Sequence, residues 1–151
     1  MAELNSKTTL YTIGYAGKTL RAFVDVLKKN RIESVIDIRQ TPMSRQPGFS
    51  RNRLAEGLRK AGITYEHVAA LGNPPQIRAM FHGPAITEGR KRYRQLLNNG
   101  RSHHVDWLVA VAEAQRTAIM CLESSPDQCH RQVVGEVAAE RAAGSVKVRE
   151  L

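Results

Sequence analysis

Thr117-Ala118-Ile119-Met120-Cys121-Leu122-Glu123-Ser124-Ser125-Pro126-Asp127-Gln128-Cys129-His130-Arg131 carries both cysteines of the chain and joins two kinds of pattern. Thr117 to Leu122 is a short apolar run, the form taken by a strand buried on both faces. Beyond it, Val133, Val134, Val137, Ala138 and Arg141 recur at helical spacing. Ser125, Pro126 and Gln128 are the residue types of an N-cap, a first-turn proline and a capping-box partner. The spacing therefore predicts a helix over 126–142, with Cys129 and His130 in or just after its first turn. A thiol there feels the positive end of the helix dipole, and Arg131 beside it favours the thiolate.

The same strand-then-helix alternation extends in both directions. Apolar strands are expected at 9–13, 34–38, 64–68, 117–122 and 145–148. Helices are expected near 20–30, 51–61, 86–98, 105–115 and 126–142, with Gly62, Gly100 and Gly144 as stops. This order predicts one compact α/β domain over residues 1–151, a largely parallel five-stranded sheet flanked by helices. Leu71 to Pro84, with Gly72, Pro74, Pro75, Gly83 and Pro84, has no periodicity and is expected to be a long loop of the kind that forms a functional lid or a mobile segment.

With 151 residues, 42% of them hydrophobic, the chain can bury a substantial core without staples. No apolar run approaches the roughly 20 residues that cross a bilayer, and Met1-Ala2-Glu3-Leu4-Asn5-Ser6-Lys7 lacks the order of a signal peptide. A cytoplasmic protein without a membrane partner is expected, and with it reduced thiols rather than a disulfide. The net charge of +9 points to an anionic small molecule or nucleic acid as partner, against the plain alternative of a solvated basic surface. The oligomeric state is not fixed by these features.

In open parallel sheets ligands gather at the carboxyl ends of the strands, and the polar clusters of this chain follow strand ends. Gly14-Tyr15-Ala16-Gly17-Lys18-Thr19 can cradle an anion through backbone N–H groups or simply turn tightly; its spacing is not that of a phosphate-binding P-loop. Asp37 and Arg39 share a strand face and can pair with each other or face a cleft. Arg39, Arg45 and Arg51, with the hydroxyls of Ser44 and Ser50, offer forks for phosphate or carboxylate. Tyr65 and His67 alternate to one face, where His67 can act as acid or base. For the cysteines three chemistries compete. Cys129 can be a nucleophile with His130 or His67 as base and Glu123 as orienter. The pair can join a histidine on a metal, although the C-x₂₋₄-C spacing of a structural zinc site is missing and no metal is expected. Both can instead be small buried hydrophobes, the reading that suits Cys121 best.

Thr12-Ile13-Gly14-Tyr15, Asp37-Ile38-Arg39 with Pro42-x-Ser44-Arg45 and Gly48-Phe49, Gly62-Ile63-x-Tyr65-x-His67, Leu71-Gly72-x-Pro74, and Cys121-x-Glu123 with Cys129-His130-Arg131 together resemble the domain-of-unknown-function family 488. Ile38 stands where the family usually has valine, and Arg149-Glu150-Leu151 stands where it often has a histidine. The resemblance implies a small α/β domain and a shared site at Arg39, Ser44, Arg45, Tyr65, His67, Glu123, Cys129, His130 and Arg131. It implies no substrate and no cofactor.

The functional expectation is an enzyme acting on a phosphate-bearing small molecule or nucleic-acid component. Arg39, Arg45 and Arg131 would hold the anion, supported by Ser44, Tyr65, Gly14 and Tyr15. Cys129 would react, with Glu123, His67 and His130 moving protons. A non-catalytic nucleic-acid-binding module is the alternative, although few aromatic residues are available as stacking platforms.

Overall fold

In the computed structural model, the described residues are 8–123 and 129–151. Ser125, Pro126 and Gln128, expected to cap the last helix, lie outside them. The elements run β1 (Thr8–Gly14), α1 (Leu20–Lys29), β2 (Ser34–Asp37), α2 (Arg51–Lys60), β3 (Thr64–His67), a 3-10 helix (Ala69–Leu71), α3 (Pro75–Met80), α4 (Ile86–Asn99), α5 (Ser102–Ala114), β4 (Thr117–Cys121), α6 (Arg131–Arg141) and β5 (Val146–Glu150). The five strands form one all-parallel sheet in the order β3-β2-β4-β1-β5.

Burial follows this order. The central strands β2 and β4 are buried throughout, and β1 is buried from Leu10 onward. They can be continuous apolar runs because helices cover both sheet faces. The edge strands carry Glu66 on one side and Lys147 and Arg149 on the other, charges that discourage pairing with another chain. Alternation divides the strand side chains between two cores. Tyr11, Ile13, Val35, Ala118 and Met120 meet Phe23 and Leu27 of α1 and Leu54 and Leu58 of α2. Leu10, Ile36, Ile119 and Cys121 meet Tyr93, Leu108, Val134 and Val137 from α4, α5 and α6. Each fully buried Leu, Ile, Val or Phe contributes on the order of 2 kcal/mol of transfer free energy.

The chain leaves β1 and β2 towards α1 and α2 but leaves β4 towards α6, on the other face. β4 lies between β1 and β2, so a crevice opens at the carboxyl ends of these three strands.

One expected boundary differs. Residues 71–84 are not a continuous loop, since α3 occupies Pro75–Met80, with prolines at its first turn. The segment is anchored: Arg101 Nη1 donates to the carbonyls of Ala70 and Gly72, and Tyr93 Oη donates to the Leu71 carbonyl. Gly72 comes so close to Gln40 that a Cβ would stand 2.5 Å from the Gln40 Cα, so only glycine fits there. Among the described residues the last helix begins at Arg131, with His130 at its N-cap position, and the expected start at Pro126 lies outside them. The side chains before it are tied back to the sheet, as described next.

Candidate active site

A cavity of about 140 Å³ opens at this crevice. Tyr15 comes to it from the end of β1, Arg39 and Gln40 from the end of β2, and Cys121 to Glu123 from the end of β4. Asn73, Arg78, Phe81 and His82 supply another wall from the α3 region, and Cys129 and His130 enter just before α6.

The sulfurs of the two cysteines are brought into contact, with Cα atoms 7.2 Å apart, wider than the roughly 4.4–6.8 Å a disulfide usually spans. The strand end and the helix start converge on the sheet edge, so eight residues of separation still bring together the two thiols that were expected to be reduced. Both residues are buried, and both line the cavity.

Their surroundings differ. Arg131 is fully buried, and its Nη1 donates to Cys121 Sγ at 3.3 Å. The same nitrogen donates to the Glu123 carbonyl, while Nε and Nη2 grip the Glu150 carboxylate at 3.1 and 2.9 Å. Thr12 Oγ1 also donates to Glu150. The arginine expected to activate Cys129 or hold a substrate anion thus stands against Cys121 instead. Cys121 is therefore more than a packing residue.

His130 faces the other sulfur. Its Nε2 lies 2.8 Å from the Ile38 carbonyl and its Nδ1 lies 3.6 Å from Cys129 Sγ. A carbonyl can only accept, so Nε2 carries the proton and Nδ1 presents a bare lone pair to the sulfur. Burial pushes the imidazole down to about 4; the Ile38 carbonyl opposes this, and the charges of Arg131 and Arg78 reinforce it. Tyr93 packs edge-on against the ring at 5.4 Å. His130 is neutral at pH 7 and orients or accepts a hydrogen bond. Cys121, Cys129 and His130, whose ligand atoms lie within 4.8 Å of one another, are also a donor set of the kind that suits a soft cation when the thiols are reduced.

The remaining expected site residues divide. Arg39 lines the cavity, but its fork is occupied: Nε and Nη2 bind the two oxygens of Asp37 at 2.8 and 2.7 Å, and Nη1 donates to the Phe49 carbonyl at 2.6 Å and to Tyr15 Oη at 3.3 Å. Of the alternatives for Asp37 and Arg39, mutual pairing holds. Tyr65 Oη donates to Asp37 Oδ2 at 2.6 Å, and burial together with that bond pushes its hydroxyl above the usual tyrosine range. Burial opposes the charge of the arginine, but the hydrogen bond and charge of Asp37 together with those of Tyr15 more than offset it, so its affinity for its proton is raised too. Buried Arg39 and Asp37, with half-buried Tyr65, form a structural cluster at the cavity's edge.

His67 Nε2 lies 2.6 Å from the Arg39 carbonyl and does not line the cavity, so it is not the base for either cysteine. The Glu123 carboxylate faces His82 at 3.7 Å instead of orienting His130. The Gly14-Tyr15 turn is no anion cradle, because the Tyr15 and Ala16 N–H groups donate to the Cys121 and Leu122 carbonyls and the Gly14 carbonyl accepts from Lys18. Ser44 folds onto its own loop through Ser50 and Gln46, and Ser44 and Arg45 line a separate shallow groove. None of the three arginines expected to hold an anion is free to do so inside the cavity.

Asn73, Gln40, Arg78, Phe81, His82 and Glu150 were not among the expected site residues. Asn73 sits within the Leu71-Gly72-x-Pro74 string, which was the one signal available for it.

The family model described as "Domain of unknown function DUF488" matches residues 19–138. No curated protein and no solved structure matches the chain.

Proposed function

The chain belongs to the DUF488 family, whose description names no reaction, and from the site itself we propose a cytoplasmic enzyme that carries out thiol–disulfide exchange at Cys121 and Cys129. The observation that carries the reading is the unequal pair of sulfurs on one cavity wall, Cys121 against the Arg131 guanidinium and Cys129 against the bare nitrogen of His130. In a reducing compartment a cysteine pair of this kind is usually catalytic or redox-sensing, since the cell keeps structural thiols open.

The asymmetry gives the exchange a direction. An incoming thiolate R–S⁻ attacks Cys129 Sγ, forming an R–S–S–Cys129 bond, and Cys121 leaves as a thiolate held by the N–H of Arg131. A second R–S⁻ then attacks the R sulfur, releasing R–S–S–R and Cys129. Of the two protons that the substrate thiols released to water on ionising, Cys129 takes one back and hydrogen-bonds His130 Nδ1, while Cys121 stays a thiolate and the other proton remains in the solvent. Two thiols are oxidised and one disulfide is reduced, and the reverse direction uses the same steps. His130, low in basicity, positions the Cys129 thiol rather than removing its proton.

Equilibration of the folded protein in a series of thiol/disulfide buffers, followed by acid quench and alkylation, tests the proposal. The expected result is a reversible transition between two modified thiols and none. Cysteines that are modified in every buffer, or blocked in every buffer until the protein unfolds, would contradict it.

A second reading keeps the expected nucleic-acid partner. It is favoured by the exposed Arg45, Arg51 and Arg53 around the shallow groove at the start of α2. Log affinity for random duplex or single strands should then fall steeply with log salt; a flat response removes it.

A further inference from the structure

Cys121, Cys129 and His130 are all buried, all line the cavity, and bring one ligand atom each within 4.8 Å of the others. His130 Nδ1 stands 3.6 Å from Cys129 Sγ. With Zn–S and Zn–N bonds of about 2.3 and 2.1 Å, a tetrahedral ion holds a sulfur and a nitrogen about 3.6 Å apart, so one edge of its coordination shell is already in place. The 7.2 Å between the Cα atoms is wide for a disulfide but leaves room for an ion between the sulfurs. In the reduced protein the sulfurs must part to ordinary contact, since unbonded atoms repel at closer range, and two thiolates on one zinc stand about 3.8 Å apart. The surroundings hold the ligands in position. His130 Nε2 donates to the Ile38 carbonyl at 2.8 Å, the kind of bond that orients a metal-ligating imidazole. Arg131 Nη1 donates to Cys121 Sγ at 3.3 Å, and Glu150 balances the guanidinium charge, so the two thiolates keep their attraction for a cation.

We propose that the reduced cysteine pair and His130 form a binding site for one Zn²⁺ ion, with the fourth position open to the cavity. This goes beyond the thiol–disulfide reading and does not depend on it. Two thiolates and an imidazole suit zinc and are poor ligands for Mg²⁺ or Ca²⁺, which take oxygen. The C-x₂₋₄-C spacing that the sequence lacks is not needed, because the end of β4 and the start of α6 converge and supply the ligands from two elements. The cavity of about 140 Å³ has space for a water molecule in the fourth position. Metal and disulfide exclude each other, since both use the same sulfur lone pairs. A disulfide R–S–S–R takes two electrons from the zinc-bound thiolates, giving the Cys121–Cys129 bond, two R–S⁻ and free Zn²⁺.

The test titrates Zn²⁺, and Co²⁺ as its coloured stand-in, into the reduced, folded protein without oxygen, with a chromophoric chelator as competitor. One ion per chain is expected. Co²⁺ should show a thiolate-to-metal charge-transfer band and the strong visible bands of a tetrahedral ion, and Zn²⁺ should remove both. His130→Gln and Cys129→Ser each delete a ligand and should weaken Zn²⁺ binding by more than the roughly 10–100-fold that loss of an outer-shell partner costs. A readout on the wild type avoids any folding defect of the variants: bound Zn²⁺ should protect Cys121 and Cys129 from alkylation, and a disulfide oxidant should release the ion. No binding by the reduced wild type, equal binding by the oxidised protein, or unchanged affinity in His130→Gln overturns the zinc site. Reversible exchange in thiol/disulfide buffers without Zn²⁺ binding overturns the zinc site alone, whereas Zn²⁺ binding by a pair that does not exchange supports it and overturns the exchange reading.

Discussion

Replacing His130 by glutamine tests the electrostatic core of the site. Glutamine can keep an N–H donor for the Ile38 carbonyl but does not titrate. In the native protein the imidazole is held neutral, with its pKa lowered from 6.5 to about 4, chiefly by burial. The unfolded chain therefore binds a proton that the folded chain refuses between those pH values, so stability is intact above about 6.5 and falls as pH drops towards 4. The fall from 6.5 to about 4 corresponds to about 3 kcal/mol, at about 1.4 kcal/mol per pH unit. Urea unfolding of wild type and His130→Gln at intervals from pH 7.5 to 4 measures it. The wild type should lose about 3 kcal/mol more than the variant across this window, whatever the variant's stability at neutral pH. Parallel curves for the two proteins would refute the neutral, Nε2-protonated imidazole and the bare nitrogen beside Cys129.

Arg131→Gln removes the N–H donor from Cys121 Sγ, and a hydrogen bond to a charged group is worth about 1.5–3 kcal/mol; iodoacetamide labelling of reduced Cys121 at pH 7 should slow about ten-fold or more. Asp37→Asn leaves the buried Arg39 guanidinium uncompensated and weakens the Tyr65 bond, so denaturant unfolding should show a loss of about 3 kcal/mol or more. Gly72→Ala drives a Cβ into the Gln40 backbone and should cost about 1–3 kcal/mol by the same assay, with the cavity wall at Asn73 displaced.

The fold was legible because the periodicities agree with one another. The apolar run Thr117–Leu122 has the length of a buried strand, and the spacing after it is that of a helix; together with the other strand–helix pairs they point to a parallel sheet. Strand order is not a local property, and so the placing of β4 between β1 and β2, which creates the crevice, was invisible. The short helix Pro75–Met80 was hidden by the prolines and glycines around it, which are locally turn-forming but are compatible with a first helical turn. Within the site, the residue types of Cys121, Cys129, His130 and Arg131 were readable and their pairing was not. Arg131 reached past its neighbour to Cys121 because a helix start fixes the side-chain direction, and Arg39 was satisfied by Asp37, two residues away on the same strand face. Asn73 and Gln40 gave no signal of their own; the folded chain brings both to the cavity wall through the close approach of Gly72 to Gln40.

Site-resolved alkylation of the reduced, folded protein as a function of pH addresses the polarised cysteine pair most directly. With Arg131 on Cys121 Sγ and His130 Nδ1 on Cys129, Cys121 should be labelled as a thiolate at lower pH than Cys129, and unfolding should erase the difference. The opposite order, or two thiols inert until unfolding, would contradict the assignment of Cys121 as the leaving thiolate.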